Sequence, residues 1–360
     1  SSLIIAVMPG VMTLSAQPCQ PAQTALLRPR ESGKEGFMPR FSSTAAFLAG
    51  LGLFLAPLPT ADAFGPKPNM VQQTAQSRLL GEFARFATLS DGTVGIAVRD
   101  LNNGETLQLN GDTLFPMAST YKVAVAGKIL SLADAGTLRF DEKLPRLGTP
   151  LTVTMLLDLM LTRSDNEATD ALVARAGGPQ AVNGWLQSIG IRGQRVDSNT
   201  AQLLARAKLG GAAAGDEGES ALSPRLRDAR DMPNIAFAAD PRDTSTPRAM
   251  NDLLSAIQHG KALKGASTAM LLGIMSRCKT GKARLVGMLP PGTPVAHKTG
   301  TLNGLGNDTG IITLPDGRMI AISVFVMKDH RGHAARDRIM AEVARAAYDY
   351  FLFAPDLRTA

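Results

Sequence analysis

Residues 115–130 read FPMASTYKVAVAGKIL. An apolar run of helical length starts just past a serine, and Lys122 follows Ser119 by three positions. Serine is a good helix cap, so this arrangement has a purely structural reading. It also has a chemical one. A helix N-terminus favours negative charge, and Lys122 lies one turn on, on the same face and within reach of the hydroxyl. A serine hydroxyl is a weak nucleophile until a neighbouring base takes its proton, and a desolvated lysine can do so. The S-x-x-K spacing alone does not choose, because the chain carries it again at Ser276/Lys279. K-T-G also occurs twice, at 279–281 and 298–300. Ser276 falls at the end of a helical pattern, where a C-terminal turn accounts for it.

Working outward, apolar positions recur at helical spacing from Val71 to Leu89. TVGIAVRD, NNG and ETLQLN then read as strand, turn and strand, with Asn103-Gly104 as the hairpin signal. VTMLLDLMLTRS, NEATDALVARAGG and PQAVNGWLQSIG read as helices, as do TPRAMNDLLSAIQHG, with Thr246-Pro247 as N-cap and N1, and STAMLLGIMSRC. TPVAHKTGT, DTGIITL and RMIAISVFVM are strands, and a last helix is expected from about Arg336 to Tyr350. Strands at both ends with helices between them give an α/β fold. Both ends of the chain build one antiparallel sheet flanked by helices, with an all-helical lobe inserted. The expected boundaries are an α/β lobe of 64–118 and 248–360 and a helical lobe of 119–247, with a cleft at the join. Residues 209–233, rich in Gly, Ala, Ser and charge, read as an insertion.

The composition is globular: 44% hydrophobic, 19% charged and 5% aromatic. The net charge is +7, from 38 basic and 31 acidic residues. The charges are scattered, so a nucleic-acid footprint is not indicated. From Met38, MPRFSSTAAFLAGLGLFLAPLPTADA has a basic start, an apolar run from Ala45 to Leu58 and an Ala61-Asp62-Ala63 cleavage site. This is the pattern of a secretory signal peptide over 38–63, with residues 1–37 upstream of it and cleavage after Ala63. The expectation is a secreted or periplasmic domain of residues 64–360 with no stable membrane span after processing. Of two cysteines, Cys19 and Cys278, the first would leave with the leader, so no internal disulfide is expected. No Cys/His spacing points to zinc, and His330 and His333 in HRGH read as a surface loop. Neither metal nor cofactor is expected.

Order separates the motif copies. Ser119/Lys122 is followed by Ser164-Asp165-Asn166 in the helical segment and then by Lys298-Thr299-Gly300 in a strand. S-x-x-K, S-D-N and K-T-G in that order form the signature of penicillin-interactive serine enzymes. With TRSDN, RDTSTP (242–247), TGKARL (280–285) and VAHKTGT (295–301), the chain from about Val71 to Phe353 resembles class A serine β-lactamases. The resemblance implies roles. Ser119 attacks the lactam carbonyl, Lys122 accepts its proton, and Ser164 relays that proton to the departing nitrogen. Asn166 holds the substrate amide and the lysine. The N–H groups of Ser119 and Thr301 form an oxyanion hole, and Lys298, Thr299, Gly300 and Thr301 face the substrate carboxylate. Arg284 resembles the extra arginine that some members use for that anion, with a merely solvated arginine as the other reading. Asp243 closes the loop under the site.

The resemblance breaks at deacylation. The family uses a glutamate to activate water, in a loop following the helix PQAVNGWLQSIG. Aligning Arg195-Val196-Asp197 on the family's R-L-D puts Thr200 at the glutamate position. It puts Leu204 where an asparagine helps hold the water, and Ser198 where an arginine pins the loop to Asp243. A threonine hydroxyl is no general base near neutral pH. Asp197, Asp216, Glu217, Glu219 and Glu167 are the candidate substitutes. The expected activity is β-lactam hydrolysis through an acyl-enzyme at Ser119, with an unusual second step. A D,D-peptidase or esterase-like hydrolase taking D-Ala-D-Ala-like peptides, and a non-catalytic β-lactam sensor, share the first half-reaction and stay open on the sequence.

Overall fold

The computed structural model describes residues 70–146, 148–208 and 232–353. The expected leader, the upstream stretch and nearly all of the 209–233 insertion, with Asp216, Glu217 and Glu219, lie outside the described residues. No helix among the described residues is long and apolar enough to cross a membrane.

The N-terminal part supplies α1 (Met70–Ala87), β1 (Thr93–Asp100), β2 (Thr106–Leu109) and the short β3 (Phe115–Pro116). The helical lobe holds α2 (Lys122–Asp134), β4 (Lys143–Leu144), β5 (Leu151–Thr152), α3 (Val153–Thr162), α4 (Asn166–Arg175), α5 (Pro179–Ser188), α6 (Thr200–Lys208) and α7 (Ile235–Ala239). The chain returns through β6 (Thr244–Ser245), α8 (Pro247–Gln258), α9 (Gly265–Met275), β7 (Val295–Leu302), β8 (Leu305–Thr313), β9 (Met319–Met327) and α10 (His333–Phe353). The five-stranded sheet has the order β2-β1-β9-β8-β7 and every neighbour is antiparallel. First and last strands of the chain thus meet at its centre, where β1 pairs with β9 from Thr93↔Met327 to Asp100↔Ile320.

The pleat explains why β1 and β9 are apolar at almost every position. Alternate side chains point to opposite faces, and helices cover both. Val94, Ile96 and Val98 join Ile322 and Val324 against Phe83 of α1 and Val343 and Phe351 of α10. Ala321 and Phe325 face the other way, into the core shared with α8 and the helical lobe. Each fully buried aliphatic side chain contributes about 1.5–3 kcal/mol. In the helical lobe α2 is the buried axis, with Val123, Ala126, Ile129 and Leu130 inaccessible to solvent. Gly127 lets Trp185 of α5 lie against it, since a Cβ there would stand 2.1 Å from the indole. Local capping follows the sequence: Thr246 Oγ1 accepts from Ala249 N, with Pro247 at N1.

Two expectations are corrected. The last helix begins at His333, a turn before Arg336, because Arg336 is an interior residue of that helix, fully buried with its guanidinium on Asp329 (2.9 Å). HRGH is accordingly not one surface loop. His330 is exposed and faces Asp91 (3.7 Å), whereas His333 opens α10 and lines the cleft.

Candidate active site

A cleft of about 700 Å3 lies between the lobes, lined by Ser119, Ser164, Asn166, Thr200, Thr299 and Thr301 among others. Ser119 stands in a single 3-10 turn, Ala118–Tyr121, and the α-helix proper begins at Lys122. The turn is entered through Ala118 at φ +46°, a backbone state costly for a residue with a side chain and concentrated at functional sites. Ser164, also at positive φ (+61°), sits in the turn between α3 and α4, which Asp165 ends by capping Ala168 N at 2.7 Å.

Lys122 is fully buried. Its Nζ donates to the Ser164 carbonyl oxygen (2.7 Å), Ser164 Oγ (3.2 Å) and Asn166 Oδ1 (2.8 Å). Lys298, equally buried, donates from Nζ to the same Ser164 Oγ at 3.1 Å, reaching it from β7, and to the Thr299 carbonyl oxygen at 2.9 Å. Burial disfavours its charge and lowers its pKa to about 8. One hydroxyl is therefore held between two lysines from opposite lobes.

Gly300 brings β7 against the Ser119 turn. A Cβ there would stand 2.6 Å from the Met117 carbonyl oxygen and 3.1 Å from Ser119 N. Asn307 of β8 locks this approach by donating to the carbonyl oxygens of Pro116 (2.9 Å) and Met117 (3.0 Å). Thr301, next along β7, is thereby beside the backbone of Ser119. Arg284 is no solvated arginine. It is buried, with Nε on Asp337 (2.7 Å), Nη1 on the carbonyl oxygens of Gly300 and Asn307 (both 3.0 Å) and Nη2 on Thr301 Oγ1 (2.8 Å).

The nine residues expected to carry acylation or to hold the substrate, Ser119, Lys122, Ser164, Asn166, Arg284, Lys298, Thr299, Gly300 and Thr301, thus meet at this cleft or its wall. The second S-x-x-K does not. Ser276 caps the end of α9 and its hydroxyl turns back to the Gly273 carbonyl oxygen.

The loop after α5 reads differently from expectation. Asp243, buried, accepts from the N–H groups of Asp197 (2.7 Å) and Ser198 (3.0 Å), and Asp197 Oδ2 accepts in return from Asp243 N (2.9 Å). The guanidinium that Ser198 lacks is supplied by Arg206 of α6. It pairs with Asp243 and Asp240 and touches Ser198 Oγ at 3.0 Å. That support is relocated, not lost. Thr200 opens α6 and is buried, with its N–H on Asp170 Oδ1 (2.6 Å) and its hydroxyl 2.7 Å from the buried Tyr121 hydroxyl. Burial raises the Tyr121 pKa, so the phenol is neutral at ordinary pH. Neither Tyr121 nor Asp170 was singled out in the sequence: a tyrosine in an apolar run reads as core, and an aspartate inside a helix as solvated.

The nearby carboxylates are committed elsewhere. Asp165 holds Arg146 and caps α4, Glu167 faces Arg146 at 3.7 Å, Asp170 caps α6, and Asp197 pairs with Arg195.

A family model described as "Beta-lactamase enzyme family" matches residues 79–351. The chain belongs to the class A β-lactamase family. It is 30% identical over 285 residues to β-lactamase VEB-1 of Pseudomonas aeruginosa, covering 72% of this chain and 85% of that one. It is 30% identical over 307 residues to the extended-spectrum β-lactamase PER-1 of the same organism, covering 78% and 90%. Among solved structures, an ancestral (GNCA) class A β-lactamase superposes with a TM-score of 0.64 at 31% identity, covering 75% of this chain and 99% of that one.

Proposed function

We propose that this chain is a serine β-lactamase that opens β-lactams through an acyl-enzyme on Ser119, and that release of the acyl group limits its turnover. The observation that carries the first half is the Ser164 hydroxyl held by Lys122 at 3.2 Å and Lys298 at 3.1 Å. Such a bridge can carry a proton from the nucleophile side of the cleft to a leaving nitrogen. In this reading Lys122 takes the Ser119 proton and Asn166 holds both Lys122 and the substrate amide. The oxygen of the tetrahedral intermediate sits between the N–H groups of Ser119 and Thr301, donors worth roughly 3–4 kcal/mol each in such holes. Lys298, Thr299 and Thr301 receive the substrate's anionic group, with Arg284 fixing the Thr301 hydroxyl behind it.

The second half rests on Thr200. A hydroxyl bonded to a neutral phenol cannot take a proton from water, and the described carboxylates nearby are engaged in capping or ion pairs. In this reading deacylation is the slow step. Residues 38–63 act as a secretory leader in this reading, placing the enzyme outside the cytoplasm.

The test is a stopped-flow reaction with a chromogenic cephalosporin, followed by intact-mass analysis. A burst of one product per chain followed by slow steady turnover, with the adduct on Ser119, is the expected outcome. A single stoichiometric event with no later turnover favours a sensor, and faster turnover of D-Ala-D-Ala peptides favours a peptidase.

A further inference from the structure

Behind the K-T-G strand lies a cluster that acyl transfer leaves unused. His297, Thr299 and Asp308 share one face of the β7–β8 pair, since Thr299 is the register partner of Asp308 and His297 lies two positions away. His297 Nδ1 meets both carboxylate oxygens of Asp308, at 2.9 and 3.0 Å, and both side chains are buried. Near this pair lies Cys278, a free and partly exposed thiol that follows α9 and whose ionised form the His297 imidazole favours. The Cys278 Sγ lies 3.3 Å from Thr280 Oγ1, and Thr280 Oγ1 lies 2.6 Å from Thr299 Oγ1. Both threonines line the cleft. A chain of polar contacts therefore runs from the Cys278 sulfur through Thr280 to Thr299 on the wall that receives the substrate's anion, with the Asp308–His297 pair close to its buried end.

We propose that Cys278 is a positioning residue whose charge state sets the direction of the Thr280–Thr299 hydroxyl pair, and so whether Thr299 donates to an anionic substrate group. The inference rests on the acyl-transfer reading of the cleft. A thiolate only accepts. When ionised it draws the Thr280 proton to itself, Thr280 Oγ1 then accepts from Thr299, and the Thr299 proton points away from the cleft. When the sulfur is protonated that pull is gone, Thr280 donates to Thr299, and Thr299 donates to the substrate. Burial opposes ionisation of the thiol, but the hydrogen bond and charge of His297 prevail and hold it at about 7. Burial likewise opposes charge on His297, and the Asp308 carboxylate outweighs it, lifting the imidazole to about 10. The remaining charges around the sulfur are Lys298 on β7, Lys279 beside it in sequence, and Arg277, which is committed to Asp158 of α3.

The experiment measures the Ser119 acylation rate from pH 5.5 to 9 with a penicillin and with its carboxyl methyl ester, for wild type, Cys278→Ser and Cys278→Ala. Wild type is expected to lose about 3- to 10-fold in rate with the free acid as pH rises through about 7, the scale of one hydrogen bond to an anion. The ester should show no such step. Both variants should acylate without it, and because the thiolate's charge helps to sustain the Lys298 cation, the fall that belongs to Lys298 should lie below pH 8 in both. In parallel, iodoacetamide labelling of the Cys278 peptide, read by mass spectrometry, should titrate near pH 7. A thiol that titrates at an ordinary 8.5, or a wild-type step near 7 that the methyl ester shows as well, overturns the inference and leaves the β-lactamase reading intact. A chain that no penicillin acylates overturns both.

Discussion

At the scale of single residues, the proposed chemistry asks different things of Ser119, Lys298 and Thr200. Replacing Ser119 by Ala should abolish adduct formation and lower turnover by at least about 10³-fold, as removal of a nucleophile does elsewhere; mass spectrometry and a chromogenic assay read both. Lys298 makes a signed pH prediction. Burial lowers its pKa to about 8, so it is a cation below that value and neutral above it. Affinity for carboxylate-bearing substrates should therefore fall as pH rises through 8, seen as a rising KM, and Lys298→Met should flatten this limb. Thr200→Glu should shorten the acyl-enzyme lifetime about 10²-fold, the lower end of general-base contributions. A further gain is expected with Tyr121→Phe, because the phenol would otherwise hydrogen-bond the new carboxylate and weaken it as a base. Thr200 was legible as a candidate in the sequence because the R-V-D text beside it can be aligned on the family's R-L-D. Its partner Tyr121 was not, because the hydroxyl's role depends on an approach across 79 positions.

At the scale of elements, local rules carried far. The near-continuous apolar runs in TVGIAVRD and MIAISVFVM, the Asn103-Gly104 turn and the Thr246-Pro247 helix start all act within a few residues, and all appear in the structure. The loop under the site is the contrary case. Ser198 at the expected arginine position read as a missing support, yet Arg206, eight residues on, reaches Asp243 from the side of α6. That substitution is visible only when α6 has been folded against the Asp240–Asp243 stretch. Breaking it should be costly, because removing one member of a buried ion pair strands the other, at about 3–5 kcal/mol. Asp243 keeps two backbone donors and Arg206 retains some exposure, so Arg206→Ala should lose about 2–3 kcal/mol in urea unfolding at pH 7, with a larger effect on acyl-enzyme turnover than on acylation. Arg206→Lys should recover part of both. His333 shows a further limit: it read as loop because HRGH lacks apolar residues, while Arg336 anchors the helix start from inside through Asp329.

At the scale of the whole molecule, the sheet closed by both chain ends brings K-T-G on β7 to the serine turn before α2, and α3–α4 deliver S-D-N from the other lobe. This convergence explains why three short motifs, each common by chance, become informative in order. The account's central claim is that this cleft performs the first half of β-lactam hydrolysis efficiently and the second half slowly. The most direct measurement is rapid-quench mass spectrometry of the wild-type chain mixed with a penicillin. The account predicts an adduct on the Ser119 peptide that fills to one per chain within the burst and persists through steady turnover. Turnover with no adduct on that peptide, or an adduct on any other residue, would contradict it.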